Sequence, residues 1–584
     1  MKVISYDTEA SYAADRDIKS LGVANYVRHP DTDHFLVTGY GENHASAADP
    51  REFQWDAGAM WISHNAQYDT QVIAEYRRRG IAVPEPKEWN CSADMAAYLQ
   101  SPRSLLDASR ELLGIELNKS VRDEMKGKDF RTLSKEDQAR WVQYGLLDAK
   151  ASFLLWQQHA HKFPEHERTV SRHTAKMCAR GIGVDLDRVA KGIELLKQAK
   201  WEAEQKIPWS SELTAKGKEV PITSPKAMAA ECRRVGIEPP TTTEAKSEIF
   251  AAWLEENAAK AGFVQAMQEW RRANRLLTVL EAMKARAVEG RLRYSLKFFG
   301  AVHTGRWSGD AGLNVQNLPS QTLCGVDARA CLVPGPGKVF IVADLSQIEP
   351  RVLHWLTDNE PLLEMLRNGH PIYEAYSRGA LGWAGGRLKD EDPQLYKRAK
   401  VEVLGLGYGA GAAQARIMAK TMGGLTISDA EAKRMVDSFR RANRKVVALW
   451  DKLDRAVRGS RGGTFDLELP SGRAIKYMDI AASGRELTGR VELGGFRKRL
   501  WGSLLTENTC QSVARDIFSG MVLNLEAAGL PVVLHCHDEA VVEVDADSAE
   551  EAKAEVLRIM STAPEWAPGL PVAAEAKIMQ EYGK

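Results

Sequence analysis

Paired cysteine motifs are missing from this sequence. Its seven cysteines, at positions 91, 178, 232, 324, 331, 510 and 536, include no CxxC and no zinc-ribbon spacing. That excludes a disulfide scaffold and points to a reducing, cytoplasmic setting. No stretch reaches the ~18 consecutive apolar residues of a membrane helix, and "MKVISYDTEA" turns acidic within seven residues instead of opening an apolar leader. No membrane partner is expected. Net charge is also nearly absent, +1 over 584 residues, so any nucleic-acid binding must rest on local basic surfaces. Internal repeats and low-complexity tracts are lacking too. What remains is a chain with 44% hydrophobic residues, enough for several cores and about three to five domains.

Along the chain, the first ~155 residues alternate strand-like and helical runs and end in "WVQYGLLDAKASFLLW", an amphipathic helix. Residues 165–290 read as a charged helical arm broken at "GIEPPTTTEAKS". The remainder mixes strands, Gly-rich turns and long helices, and the densest chemistry lies there.

Four stretches of that C-terminal half belong together. In "KVFIVADLSQIEPRVLHWL" a β-branched run ends at Asp344, and Ser346 with Glu349 reads as a capping box opening a helix, with Pro350 tolerated in its first turn. In "VVLHCHDEAVVEV" strands 532–536 and 540–544 would hold Asp538 and Glu539 at a hairpin tip. Were Asp344 to approach that tip, two aspartates from separate segments could share two magnesium ions, since hard cations take carboxylate oxygens and phosphates. Zinc at "HCH" is disfavoured because period-two alternation turns Cys536 away from His535 and His537. In "YKRAKVEVLGLGYGAG" the glycines follow a helical pattern rather than a strand, the wrong context for a dinucleotide fingerprint. Positions 396, 400, 404 and 408 form one helix face, with Lys400 and Tyr408 about 12 Å apart, a span that suits phosphate and base of a nucleotide. Finally, "HTGRWSGDAGLNVQNLPS" offers Arg306 for a phosphate and Asn314, Gln316 and Asn317 for sugar or base edges. A solvated lysine, a core tyrosine, a strand-ending aspartate and an ordinary loop are the plain readings of each stretch alone.

Together, "DLSQIEPRVL", "KVEVLGLGYG" and "HDEAVVEV", with "TGRWS…NVQNLP" upstream and "TENTCQSVARD" between, resemble motifs A, B and C and their companions in family A DNA polymerases, most of all phage members. The resemblance implies palm, fingers and thumb around a primer–template. Asp344 and Asp538 would ligate metal, Glu539 support them and Lys400 contact the triphosphate. Tyr408 would stack by the incoming dNTP, and Glu349 would close the sugar pocket against a 2′-hydroxyl, favouring DNA synthesis. Arg306, Asn508, Gln511 and His537 match positions that touch primer–template DNA. Three places depart from the family pattern. Tyr396 replaces a fingers Arg beside Lys397 and Arg398, Leu404 replaces a large aromatic, and Tyr373 replaces a His. Nucleotide contact is still expected at Arg398, Leu404 and Tyr373.

The N-terminal region carries its own carboxylates. Asp7 and Glu9 lie two apart on a strand and share a face, "SHNAQYDTQVI" brings Asp69, and Tyr144 falls one helical turn before Asp148. Singly each is an ordinary exposed acid. Jointly they resemble the DEDD-type 3′–5′ exonucleases of subtype Y, which implies two divalent ions held by Asp7, Glu9, Asp69 and Asp148, with Tyr144 orienting the attacking water. The chain starts almost at the first exonuclease strand, so no separate 5′-nuclease domain is expected.

The expected fold is multidomain α/β and α+β: an RNase H-like exonuclease domain (1–160), linker and thumb (161–300), palm (301–365), fingers (366–495) and the rest of the palm (496–584). The expected cofactor is Mg2+, two ions at each site, with Mn2+ as a substitute. The expected partners of a monomeric enzyme are primer–template DNA, dNTPs and replisome proteins such as a helicase–primase and a single-strand binding protein. A stand-alone exonuclease would not need Lys400, Tyr408 or Asp344 with Asp538. A single-subunit RNA polymerase would not need the N-terminal acids, and a scaffold would have lost ligands.

Overall fold

The computed structural model describes residues 2–11, 17–118, 120–125, 127–214, 216–244, 247–484 and 486–583. The N-terminal region is built on five strands, β1 (Val3–Ala10), β2 (His34–Gly41), β3 (His44–Ala48), β4 (Met60–Ser63) and β5 (Glu88–Cys91). Their order is β3-β2-β1-β4-β5, with β2 antiparallel and β4 parallel to β1. One side of the sheet is sealed by aromatic rings: Tyr6 meets Trp61 edge-on at 4.9 Å, and Trp55 stacks on Trp61 at 5.2 Å. Helices α1 (Ala66–Arg78), α2 (Leu105–Leu113) and α3 (Lys135–His159) complete the layers. Ser134 caps α3 by accepting from the Asp137 amide. Gly145 lets that helix lie close on β2, because a Cβ there would come within 3.0 Å of Thr38, whose hydroxyl instead donates to the Gly145 carbonyl at 3.0 Å. The close approach fixes the depth of Tyr144 and Asp148 on either side.

Helix α4 (Glu165–Arg180) leads into the helices Leu186–Glu204 and Gly262–Arg286, which pack on one another. A satellite core around Trp209, Phe250 and Phe263 lies at their far end. The C-terminal half centres on four antiparallel strands, β6 (Lys338–Leu345), β7 (Val532–Cys536), β8 (Glu539–Asp545) and β9 (Ala574–Met579), in the order β7-β8-β6-β9. Their near-continuous apolar sequence reflects burial on both faces: Phe340, Ile341, Ala343, Val533 and Val541 have no exposed surface. Between β6 and β7 the chain runs through α5 (Ile348–Leu356), α6 (Ile372–Ala380), α7 (Pro393–Gly405), three further helices (Ala412–Gly423, Asp429–Ala442, Arg444–Gly459), a sheet spanning Phe465–Glu468 to Lys498–Arg499, and the long buried α8 (Gly502–Ala527).

Buried polar contacts tie the two halves. Arg515 of α8 forms a two-pronged pair with Glu167 of α4 at 2.6 and 2.8 Å, both residues over nine-tenths buried. Gln100 donates to the carbonyls of Lys476 and Val491. Among the described residues no helix is long and apolar enough to cross a membrane.

Three local expectations are corrected. The Ser346–Glu349 capping box does not form: Gln347 takes a left-handed conformation (φ +47°) at the N-cap of α5 without a side-chain cap, and the Glu349 carboxylate is drawn to Arg306 instead. The helix across 396–408 stops at Gly405. Leu406–Tyr408 is a 3-10 turn whose Gly407 carbonyl accepts from the Trp450 indole at 3.2 Å, and Gly409 has φ +84°. The hairpin tip is two residues, His537 and Asp538, and Glu539 already belongs to β8, paired in register with Asp344.

Candidate active sites

Two separate groups of carboxylates emerge, one in each half. In the C-terminal half, Asp344 stands at the end of β6 beside the β7–β8 turn, where the Leu345 amide donates to the Asp538 carbonyl at 3.1 Å. Two aspartates from stretches almost two hundred residues apart are thereby brought together, one near a strand end and one in the adjoining turn. His537 holds the turn with φ +59°, a conformation that non-glycine residues adopt rarely and mostly at functional sites. Burial raises the Asp538 carboxyl to about 6, with nearby Glu349 and Glu539 adding to the rise and Arg306 opposing it. A partly buried acid with like charges around it is a site lacking positive charge.

Glu539 is 7% exposed and accepts from the Tyr582 hydroxyl at 2.6 Å. It therefore backs the site from beneath. Nothing local in the sequence marks Tyr582, which reaches Glu539 only because the C-terminal segment crosses the sheet. His535 and Cys536 diverge: the buried His535 ring lies against Trp307 at 4.5 Å, and the Cys536 thiol meets the Gln316 carbonyl.

Arg306 and Glu349 form an ion pair, and Tyr408 comes in beside them, its hydroxyl buried and its pKa raised by burial and by the neighbouring Cys510, Glu349 and Glu507. Lys400 sits on α7 with no ion-pair partner among the described residues. Arg398 is turned elsewhere and pairs at 2.7 Å with the fully buried Glu402, which also accepts from Tyr376. Tyr373 of α6 packs edge-on against Tyr396 of α7 at 5.4 Å, so two positions that depart from the family pattern are in contact. Leu404 is partly buried on the same helix.

The polar residues of the upstream loop divide. Asn314 caps a short turn, Gln316 is buried and donates to the His535 carbonyl at 3.2 Å, and Asn317 is exposed. Asn508 is buried and donates to the Tyr477 hydroxyl at 2.8 Å, bracing α8 against the neighbouring sheet, while Gln511 donates to Glu507.

In the N-terminal half Asp7, Glu9, Asp69, Tyr144 and Asp148, from β1, α1 and α3, line one cleft of about 630 Å³. Asp69 is buried and accepts from Thr8 at 2.8 Å. Burial carries its carboxyl up to about 7, and Glu9 adds to the rise. The Tyr144 phenol is pushed far up by burial and by Asp148, Glu9 and Asp7, which shows these four groups to be electrostatic neighbours. Thr8 was not singled out from the sequence, since it lies between two conspicuous acids.

Both carboxylate groups fit divalent cations in donor type and in their excess negative charge, although among the described residues no three such side chains already close to ligand distance. Asp344 and Asp538 would hold ions at one site, and Asp7, Glu9, Asp69 and Asp148 at the other.

Comparison with known proteins agrees with this geometry. A phage DNA polymerase of Bacillus phage SP02 is 26% identical over the full length of both chains. The thermostable DNA polymerase I of Thermus filiformis is 27% identical over 70% of this chain and 46% of its own length. The fold matches a structure titled as the POL domain of Pol1 from M. smegmatis in complex with DNA primer-template and dNTP, with a TM-score of 0.69 at 20% identity, covering 99% of this chain and 95% of that one. Residues 194–584 match DNA polymerase family A, and the chain belongs to that family.

Proposed function

We propose that this chain extends a primer 3′ end with dNTPs against a DNA template and removes misincorporated nucleotides through a separate 3′–5′ exonuclease site, in the service of phage DNA replication. The observation that carries the reading is the placement of Asp344, near the end of β6, beside Asp538 in the adjoining β7–β8 turn, together with a second, independent carboxylate cleft in the same chain. Divalent ions, magnesium first among them, would supply neutralisation of phosphate charge and activation of the attacking oxygen at each site.

In the polymerase reaction, Asp344 and Asp538 would hold the divalent ions that neutralise the phosphate charge, and Glu539, fixed by Tyr582, keeps the turn carrying Asp538 in place. Lys400 meets the triphosphate as a point charge. Tyr408 and Glu349 close the sugar side of the pocket, where a carboxylate leaves no room for a 2′-hydroxyl. The Arg306–Glu349 pair is then exchanged for contacts to DNA and sugar when substrate enters. At the second site, Tyr144 and Asp148, one helical turn apart, hold and orient the water that attacks the terminal phosphodiester. The domain limits given above, 1–160, 161–300, 301–365, 366–495 and 496–584, are proposed as the functional units.

The test is primer extension with a labelled primer on a longer template in magnesium, using wild type, Asp538→Ala and Asp7→Ala. The expected result is elongation with dNTPs and 3′ shortening without them, elongation alone lost in Asp538→Ala and shortening alone lost in Asp7→Ala. Loss of both activities in either variant would overturn the two-site reading.

A further inference from the structure

The segment Glu492–Trp501 is used by neither site, yet its chemistry is distinctive. Phe496 is 92% exposed, the most exposed of the large hydrophobic residues described. It follows Gly494 and Gly495 and precedes Arg497, Lys498 and Arg499, so four consecutive exposed residues present one ring and three cations. Arg497 spends its guanidinium on the carbonyls of Asp479 and Thr488, which leaves its positive charge uncompensated, and Arg499 meets Glu486 at 3.1 Å. Lys498 has no ion-pair partner among the described residues. A fully exposed ring adds nothing to the core, and an aromatic face beside cations is what a stacked base and its phosphate require.

Its place in the fold is equally specific. On one side the segment docks on the exonuclease region: the Leu493 amide donates to the Gln100 carbonyl at 2.8 Å, and Gly494 packs against Glu111 of α2, where a Cβ would come within 2.8 Å of the carboxylate. The start of α2 (Ser104, Leu105 and Leu106) lines the exonuclease cleft. On the other side Lys498 lies close enough to His303 to act on it: burial lowers the pKa of that imidazole, and Lys498 and Arg306 lower it further. Arg306 in turn pairs with Glu349 in the polymerase site. The segment also runs directly into α8, where Gly409, next to Tyr408, packs on Ser503, so the exposed ring stands on the chain that links the helix lining one cleft to the helix flanking the other.

We propose that Glu492–Trp501 is a strand-guiding bridge between the two sites, its occupant the unpaired 3′ end of a DNA strand, with a base stacked on Phe496 and its phosphates met by Lys498 and the flanking arginines. The inference rests on the two-site reading above and adds the surface that connects the sites. A frayed, mismatched end stacks on Phe496 and is carried towards α2, whereas a paired end stays stacked in the duplex and does not reach the ring.

The experiment compares wild type, Phe496→Ala, Phe496→Trp and Lys498→Ala. Removing an exposed ring leaves packing intact, so the variants fold. In EDTA, where neither site turns over, the fluorescence of 2-aminopurine at a mismatched primer 3′ end reports stacking directly. Phe496→Ala is expected to weaken the quenching on mismatched ends, and Phe496→Trp to restore it. In magnesium, removal of the mismatched nucleotide is expected to fall about tenfold in Phe496→Ala, on the scale of one lost base–aromatic stack, relative both to elongation of a paired primer and to digestion of a short single strand. Equal quenching in wild type and Phe496→Ala, or a uniform loss across all three DNA substrates, would overturn the bridge. Normal quenching by wild type in EDTA with no shortening in magnesium would instead overturn the exonuclease reading while supporting the stacking surface.

Discussion

Replacing Asp538 by asparagine separates what the carboxylate does for chemistry from what it costs the fold. The Asp538 carboxyl is raised from 3.8 to about 6, chiefly by burial and then by Glu349 and Glu539. That shift is about two units, or about 3 kcal/mol of penalty on the charged form at 1.36 kcal/mol per unit. Asp538 is only partly buried, and solvent screening reduces the figure to about 1–2 kcal/mol. Because the folded-state pKa lies above the unfolded one, the native chain binds more protons between pH 4 and 6. The contribution of this group to stability is therefore fully present below pH 4 and is lost as pH rises through 6. Asp538→Asn escapes this loss, so in EDTA at pH 8 the variant is expected to melt about 1–2 °C higher than wild type. The advantage should fall to about half at pH 5 and vanish only below about pH 4. Magnesium should reverse the order, since ions bind the native wild-type site and stabilise it by mass action, while the amide holds them poorly. Elongation should fall by about 10³-fold, the several kcal/mol that metal-held charge contributes to phosphoryl transfer. The assay is thermal melting at pH 5 and pH 8, with EDTA and with magnesium, beside primer extension on the same preparations. An Asp538→Asn variant that melts at or below the wild-type temperature in EDTA at pH 8 would refute the electrostatic account of the site.

Other predictions follow from the same contacts. At limiting magnesium, 3′ shortening is expected to decline as pH falls through about 7, where buried Asp69 takes up its proton, while elongation persists to about pH 6; pH profiles of both activities check this, and elongation failing first would refute it. Arg515→Met leaves Glu167 charged and unpaired in the interior and should cost about 3–5 kcal/mol in urea unfolding; a cost below about 1 kcal/mol would mean that water reaches the pair. Tyr582→Phe removes the donor to buried Glu539 and should cost about 1–3 kcal/mol of stability together with a loss of elongation but not of 3′ shortening, measured by denaturation and by the two gel assays.

The sequence read well where chemistry is dense within a few residues. Asp344 at a strand end, Asp538 in a turn between β-branched runs, and Asp7 with Glu9 on one face of a strand are local facts of period and turn propensity, and all stand where those patterns put them. Local reading failed where a distant group outbid a neighbour. Ser346 and Glu349 spell a capping box, but Arg306, forty-three residues away, takes the carboxylate. Residues 396–408 read as one helix, but Trp450 captures the Gly407 carbonyl and Met418 fills the space left by Gly405.

By itself the sequence determined the two sets of acids, the strand ends and turn that carry several of them, and the contrast between an alternating N-terminal region and a helical arm, because each depends on periodicity over one or two turns of chain. Only the tertiary structure decided which acids are buried and so keep their protons to higher pH, that Asn508 and Gln316 brace the framework, that Tyr582 underlies Glu539, and that Phe496 is left almost fully exposed. Burial and charge coupling are properties of what surrounds a residue in space, and those surroundings come from segments hundreds of positions away.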